Sequence, residues 1–308
     1  MDRGELQEIL DRNRPFAKLG NTADYIPELA YADPDQIGLT IASPDGKITS
    51  VGDCETPFTL QSISKVINLL VAVLDNGPDQ VFSKVGMESS GEPFNSVSEL
   101  ESKPENRPLN PLINAGAIAV SSMIHGNDVE EQYERVCQFI SGIIGRDNLE
   151  YDEKVFQSEI LTGDRNRSLA YFMKSTGVID TDVEKALELY FRLCSIKVTC
   201  SDLAKIGLFL STGGRSQGQV VHKNLPRAVK ISLSIMLTAG MYNESGETLL
   251  RSGIPAKSGV SGGILAAPPH EMGIGIIGPA INGKGNSVAG LKILEDISSK
   301  YRLHIFDK

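Results

Sequence analysis

Strand-like segments lie only near the two ends of this chain, and the long stretch between them reads as helix. Ile37-Gly-Leu-Thr-Ile41 alternates apolar with small or polar residues. Ser43-Pro-Asp-Gly46 is a turn, and Lys47–Val51 can run back, so a β-hairpin is predicted. Near the other end, Pro255–Val260 and Ile264–Ala267 flank Ser261-Gly-Gly263, and Met272–Ile277 is a further strand. Hairpins cannot bury a face alone. The economical solution joins both ends in one mostly antiparallel sheet. A first segment, helical to about Leu19, and a final helix over Val288–Tyr301 then pack on it. The middle becomes a helical insertion. In it, Thr59–Leu74 is apolar on more than one face, reads as a buried helix, and stops at Asn76-Gly77-Pro78. Asn114–Ile124, Val129–Ile144 (ending at Gly145), Arg167–Ser175 (before Gly177), Val183–Ile196 and Ser201–Ser211 follow as helices. Ser89–Pro111 reads as an ordered polar loop.

A chain of 308 residues, 41% hydrophobic and 22% charged, has the make-up of an ordinary globular protein. Its net charge of -9 argues against nonspecific nucleic-acid binding, which needs a basic footprint. The N-terminus MDRGELQEIL has no apolar signal core, and the most apolar stretch, Val66–Leu74, is too short for a membrane span. The expectation is a cytoplasmic protein with no membrane partner. Cys54, Cys137, Cys194 and Cys200 are scattered, which predicts reduced, buried thiols. None of His125, His222, His270 and His304 clusters with them, so no metal site is expected.

Ser62-Ile-Ser-Lys65 stands at the start of the buried helix. Residues three apart share a helix face, so Lys65 Nζ can reach Ser62 Oγ. A desolvated, neutral lysine can activate a serine hydroxyl, and the helix N-terminus offers free N–H groups to a developing oxyanion. Burial and the like charge of Lys257 are both expected to hold Lys65 neutral. The plainer reading is an ordinary helix with serines in its first turns. Ala256-Lys257-Ser-Gly-Val-Ser-Gly-Gly263 adds a Lys-Ser-Gly strand, the second element of penicillin-recognising serine enzymes. Alone it could be a glycine-rich hairpin; after a Ser-x-x-Lys it is more specific. The third element of those enzymes, Ser-x-Asn or Tyr-x-Asn, does not occur between the two. Tyr242, in Gly240-Met-Tyr-Asn243, is the candidate to replace it, against a half-buried structural tyrosine. Gly273-Ile-Gly-Ile-Ile-Gly278 matches a dinucleotide fingerprint but reads as the strand itself, followed by Pro279. Glu159 and Asn166 could hold an ammonium and a carboxylate; the plainer reading of Gln157–Asn166 is a solvated loop.

Taken together, Asp24-Tyr-Ile-Pro-Glu-Leu29, Gln61-Ser-Ile-Ser-Lys65, Asn110-Pro-Leu-Ile-Asn-Ala-Gly-Ala-Ile118, Ser158-Glu159, Gly163-Asp-Arg-Asn166, Tyr190–Ser195, Gly240-Met-Tyr242 and Ala256–Gly263 resemble the serine-dependent glutaminases. The resemblance runs from about Asp24 to Leu291. It implies a β-lactamase/DD-peptidase-like fold of the α/β (α+β) class: a mostly antiparallel sheet flanked by helices, plus a helical subdomain. The whole of 1–308 would be one domain, with an α/β part at roughly 1–65 and 225–308 and a helical part at roughly 66–224. It implies hydrolysis of L-glutamine to L-glutamate and ammonia with no metal or organic cofactor. By similarity Ser62 is the nucleophile and Lys65 and Tyr242 are its proton-transfer partners. The backbone N–H groups of Ser62 and Val260 make the oxyanion hole. Tyr25, Asn114, Glu159, Asn166 and Tyr190 hold the α-amino and α-carboxylate ends, with Ser62, Tyr242 and Val260 also touching substrate. A core-only member without the long extensions and ankyrin repeats of larger relatives is expected, assembled as a homodimer or homotetramer. The competing readings are a serine acyl hydrolase of the β-lactamase/peptidase class and a non-catalytic glutamine sensor.

Overall fold

The two ends of the chain meet in one sheet in the computed structural model, which describes residues 2–93, 95–102, 106–216, 219–220 and 223–307. Its strands are β1 (Gly38–Ala42), β2 (Ile48–Gly52), β3 (Ala256–Ser258), β4 (Gly263–Ala266) and β5 (Gly273–Ile277). Their order is β2-β1-β5-β4-β3, antiparallel throughout. The seam between the ends is β1 against β5, where Leu39 faces Ile276 and Ile41 faces Ile274. The principal helices are α1 (Arg3–Asn13), α2 (Ser64–Asn76), α3 (Asn114–Ser121), α4 (Val129–Ile144), α5 (Glu153–Thr162), α6 (Asp164–Ser175), α7 (Val183–Cys194), α8 (Cys200–Ser211), α9 (Leu225–Ala239) and α10 (Val288–Tyr301).

The alternation of the strands assigns their faces. Leu39, Ile41, Ile274 and Ile276 bury against Leu6, Ile9 and Leu10 of α1 and Ile293, Leu294 and Ile297 of α10. On the other face, Gly273 and Gly275 meet the backbone of α8. A Cβ at Gly273 would stand 1.9 Å from the Ala204 carbonyl oxygen, and one at Gly275 2.2 Å from that of Cys200. The glycine repeat that mimics a dinucleotide fingerprint is therefore the footprint of a helix lying directly on a strand. A second core fills the helical middle around α2, whose residues from Ser64 to Val73 are all buried.

Three expectations need correction. The segment from Thr59 to Leu74 is not one helix. Phe58–Thr59 pairs as a short strand with Lys197–Val198, Gln61–Ile63 is a 3₁₀ turn, and α2 begins only at Ser64. Gln61 has φ +48°, so a right-handed α-helix cannot run through it. Gln157–Asn166 is not a loop but the end of α5 and the start of α6, bent at Gly163, where a Cβ would strike the Phe191 ring. Ser89–Pro111 contains a short helix, Val97–Glu101, and its positions 94 and 103–105 lie outside the described residues, as does His222. The glycine expected after Ser175 closes α6 as foreseen: Gly177 has φ +75°, and the Val178 N–H bonds to the Met173 carbonyl at 2.9 Å.

The helix-on-strand contact makes a prediction about stability. Gly273→Ala must push α8 off the sheet and is expected to cost about 3 kcal/mol, as overpacking does. Gly246→Ala, in the short helix Ser245–Arg251 with open space around it, should be neutral or stabilising by up to about 1 kcal/mol. Urea unfolding of the two variants checks this; equal midpoints would contradict the packing argument.

Candidate active site

The site is built from the break before α2. The Leu60 N–H bonds to the Ile196 carbonyl at 2.9 Å, which anchors the turn on the end of α7. Gln61 then takes its left-handed conformation, and its side-chain amide donates to Glu159 Oε1 at 3.0 Å and Thr59 Oγ1 at 3.3 Å. Ser62 and Ser64 point to different partners. The Ser64 hydroxyl donates to the Gln61 carbonyl at 2.8 Å, whereas the Ser62 hydroxyl lies beside the Tyr242 phenol and favours its charged form.

Tyr242 reaches Ser62 because two backbone segments pass unusually close. A Cβ at Gly240 would stand 1.8 Å from the Ala256 carbonyl oxygen, so the chain leaving α9 runs directly against β3. Tyr242 follows at φ +52°, with its hydroxyl also donating to the Ser258 carbonyl at 3.4 Å. Lys257 Nζ lies 4.2 Å from the centre of the Tyr242 ring and donates to the same Ser258 carbonyl at 2.7 Å. Gly259 lets the strand end lie against the turn before Ser62, since a Cβ there would be 2.6 Å from the Leu60 carbonyl oxygen. Val260 comes next and packs with Tyr242.

Lys65 is completely buried. Its Nζ donates to Asn114 Oδ1 at 2.6 Å and to the Leu112 carbonyl at 3.4 Å, so its bonds run to these acceptors. Those acceptors are presented by an Asx turn: Asn110 Oδ1 accepts the N–H groups of Leu112 at 2.9 Å and Ile113 at 3.2 Å. Gly116 makes room for it, because a Cβ there would stand 1.9 Å from the Asn110 carbonyl oxygen. Burial lowers the Lys65 amine to about 8, opposed by the negative charge of Glu159. The expected influence of Lys257 runs the other way. Burial pulls Lys257 well below the usual lysine range, and Lys65 lowers it further. The Tyr242 phenol is pushed up by burial, against the influence of the Ser62 hydroxyl.

In front of Ser62 is a cavity of about 90 Å³. It is lined by Tyr25, Ser62, Asn114, Glu159, Asn166 and Tyr190, so six of the nine residues singled out in the sequence share one wall. Lys65, Tyr242 and Val260 do not line it. Lys65 and Tyr242 connect to it through Asn114 and Ser62, and Val260 packs beside Tyr242. Asn114 Nδ2 donates to Asn166 Oδ1 at 2.9 Å, which links α3 to α6. Tyr25 is half exposed (51%) and forms the rim. Burial raises the Glu159 carboxyl to about 7, against the Gln61 hydrogen bond and the Lys65 charge. Sequence reasoning gave no role to Gln61 or Arg165, which also line the cavity. Gln61 adjoins Ser62 in the quoted motif, but its left-handed backbone leaves no mark on composition. Arg165 is an exposed arginine among several, held by its Nε–H to the Asn95 carbonyl at 2.7 Å.

Comparison with known proteins bears on this cavity. A family model described as Glutaminase matches residues 20–306. A Clostridium tetani protein named Glutaminase is 51% identical over 99% of this chain and 100% of its own length. A Bacillus subtilis probable glutaminase of known structure is 37% identical, with TM-score 0.90 over 98% of this chain and 97% of its own. A second Bacillus subtilis structure is a covalent complex of a glutaminase with 5-oxo-L-norleucine, formed by reaction with 6-diazo-5-oxo-L-norleucine. It is 36% identical, with TM-score 0.86 over 98% of this chain and 99% of its own. The fold is thus the β-lactamase-like one.

The Gln61–Glu159 bond makes the site's electrostatics testable. Gln61→Leu removes a donor that favours the charged carboxylate, so Glu159 should titrate above about 7 in that variant. Carboxyl-carbon NMR titration reads this directly; an unmoved midpoint would mean the bond does not set the charge of Glu159.

Proposed function

The chain belongs to the glutaminase family, and on that premise we propose that it hydrolyses the side-chain amide of L-glutamine to L-glutamate and ammonia through an ester on Ser62. The observation that carries this reading is the placement of Ser62 beside the buried Tyr242 phenol, at a small cavity that also holds a buried acid. Glutamine brings an α-ammonium, an α-carboxylate and an amide. Glu159 suits the ammonium, while Asn166, Asn114, Tyr25 and Tyr190 offer polar groups to the remainder. The relative's covalent adduct supports the same chemistry, since its ketone stands at the carbon where glutamine carries its amide.

In the proposed cycle Ser62 Oγ attacks the amide carbon. Its proton passes to Tyr242 and Lys65, taken together as the proton-transfer unit, and the N–H groups of Ser62 and Val260 hold the oxyanion. The tetrahedral species collapses as the same unit protonates the leaving nitrogen, which departs as ammonia. Water then attacks the γ-glutamyl ester, and its proton returns to Ser62 as glutamate leaves. An amine lowered to about 8 is well matched to this exchange near neutral pH. A cavity lined by a buried acid, Asn114, Asn166 and two tyrosines suits a free amino acid better than the peptide or β-lactam of the competing hydrolase reading. The proton-transfer groups beside Ser62 favour turnover over a sensing role. Among the described residues no helix is long and apolar enough to cross a membrane. Four free, buried cysteines favour a reducing cytoplasm. Homodimeric or homotetrameric assembly belongs to the same proposal, and exposed Leu250 and Phe306 offer apolar surface for it.

The two shifted groups predict the pH profile. Below about 7 Glu159 takes up a proton and cannot pair with the ammonium, so KM should rise as pH falls. Below about 8 Lys65 is charged and cannot accept the Ser62 proton, so kcat should fall as pH falls. Glu159→Gln should lose roughly 10- to 100-fold in kcat/KM, the worth of one charge-assisted hydrogen bond, and abolish the KM limb. Ser62→Ala should release no ammonia and keep its circular dichroism, while Ser64→Ala loses far less. Ammonia release by folded Ser62→Ala at the wild-type rate would refute the assignment.

A further inference from the structure

Beyond Tyr242 lies a buried polar cluster that the reaction above does not use. Asn286 has no exposed surface. Its Oδ1 accepts the Ser258 hydroxyl at 2.5 Å, and its Nδ2 donates to the Met241 carbonyl at 3.1 Å and to Glu244 Oε2 at 2.5 Å. Asn282 Nδ2 donates to both Glu244 oxygens, at 3.0 and 2.8 Å, and Asn282 Oδ1 accepts the Asn286 N–H at 3.2 Å. Met241 and Glu244 flank Tyr242 in the chain. The same loop touches the ring itself: Gly285, at φ +94°, faces it so closely that a Cβ would stand 3.2 Å from a ring carbon. Tyr242 is therefore gripped through the carbonyl before it, the carboxylate after it and the side of its ring.

We propose that Asn286 is a positioning residue for proton transfer, holding Tyr242 in its left-handed backbone conformation with the phenol between Ser62 and the Ser258 carbonyl. This rests on the proton-transfer role proposed for Tyr242. A bulky residue at φ +52° keeps that conformation only when its surroundings over-determine it. Relaxation to ordinary helical angles would carry the phenol away from Ser62. The position also calls for an amide. One atom must accept from a hydroxyl while the other donates to a carbonyl and a carboxylate, and an aspartate would set negative charge against both. Ser258 completes the arrangement, since its carbonyl accepts from Tyr242 and its hydroxyl is fixed by Asn286.

The test is a double-mutant cycle of Asn286→Ala with Tyr242→Phe, read as kcat, KM and the pH dependence of kcat. Displacement of a catalytic group by about 1 Å costs on the order of 100-fold, so Asn286→Ala should lower kcat by roughly 10- to 100-fold. KM should change by less than about twofold, and the pH limb of kcat should move. In the Tyr242→Phe background the same substitution should cost nothing further, because its only route of action is gone. An unchanged kcat for Asn286→Ala, or an equal loss in both backgrounds, overturns the proposal. If Asn286→Ala does not fold, Ser258→Ala, which removes only the hydroxyl fixed by Asn286, goes through the same cycle with the same expectations. A wild-type rate for Tyr242→Phe would strike the underlying assignment of Tyr242 instead, and this inference with it; the two failures are read from different variants.

Discussion

An ammonium moved out of water without compensation costs far more than a single hydrogen bond returns. Lys65 sits in that position, wholly buried on a helix whose neighbouring residues are nearly all apolar. The surroundings soften the cost without abolishing it. Asn114 and the Leu112 carbonyl accept its protons, and Glu159 lends negative potential, yet the amine still falls to about 8. An amine held at about 8 is what the proton-transfer role proposed for Lys65 requires. Much of the site can be read as support for it: the Asx turn at Asn110, the glycine at 116 that lets the turn close on α3, and the carboxyl of Glu159 held nearby by Gln61.

The second constraint is distance between backbones. Ser62, Tyr242 and Val260 come from three separate parts of the chain. They meet because Gly240 passes against Ala256 and Gly259 against Leu60, each with no room for a methyl group. The terminal sheet carries β3, the break before α2 carries Ser62, and the end of α9 carries Tyr242. Two non-glycine residues take positive φ here: Gln61, which precedes Ser62 in the chain, and Tyr242, whose phenol the Ser62 hydroxyl influences. Strain of this kind gathers where a side chain must be aimed and neighbours can hold it there.

Much of this was legible from sequence, and the boundary has physical reasons. The hairpin carries a clear turn, and α4 a helical period with a stop at Gly145; the structure has both, and the final helix α10, within a residue or two. Ser62, Lys65 and Lys257 were visible because motifs fix their spacing. Gln61's conformation was not, since αL at a non-glycine residue is imposed by tertiary contacts. The helices around Glu159 were hidden because polar residues there face the cavity and solvent, which blurs the period. Asn286 was invisible for a similar reason: an asparagine in a glycine-rich turn looks like turn chemistry, and only its burial against Met241, Glu244 and Ser258 distinguishes it.

The central claim is that Ser62 carries the acyl group. Reaction of the intact protein with 6-diazo-5-oxo-L-norleucine, followed by digestion and mass mapping, tests it most directly. The account predicts one added norleucine-derived mass, on the peptide containing Ser62, absent in Ser62→Ala and slow to form in Tyr242→Phe. Labelling of a different residue, or equal labelling of Ser62→Ala, would contradict it.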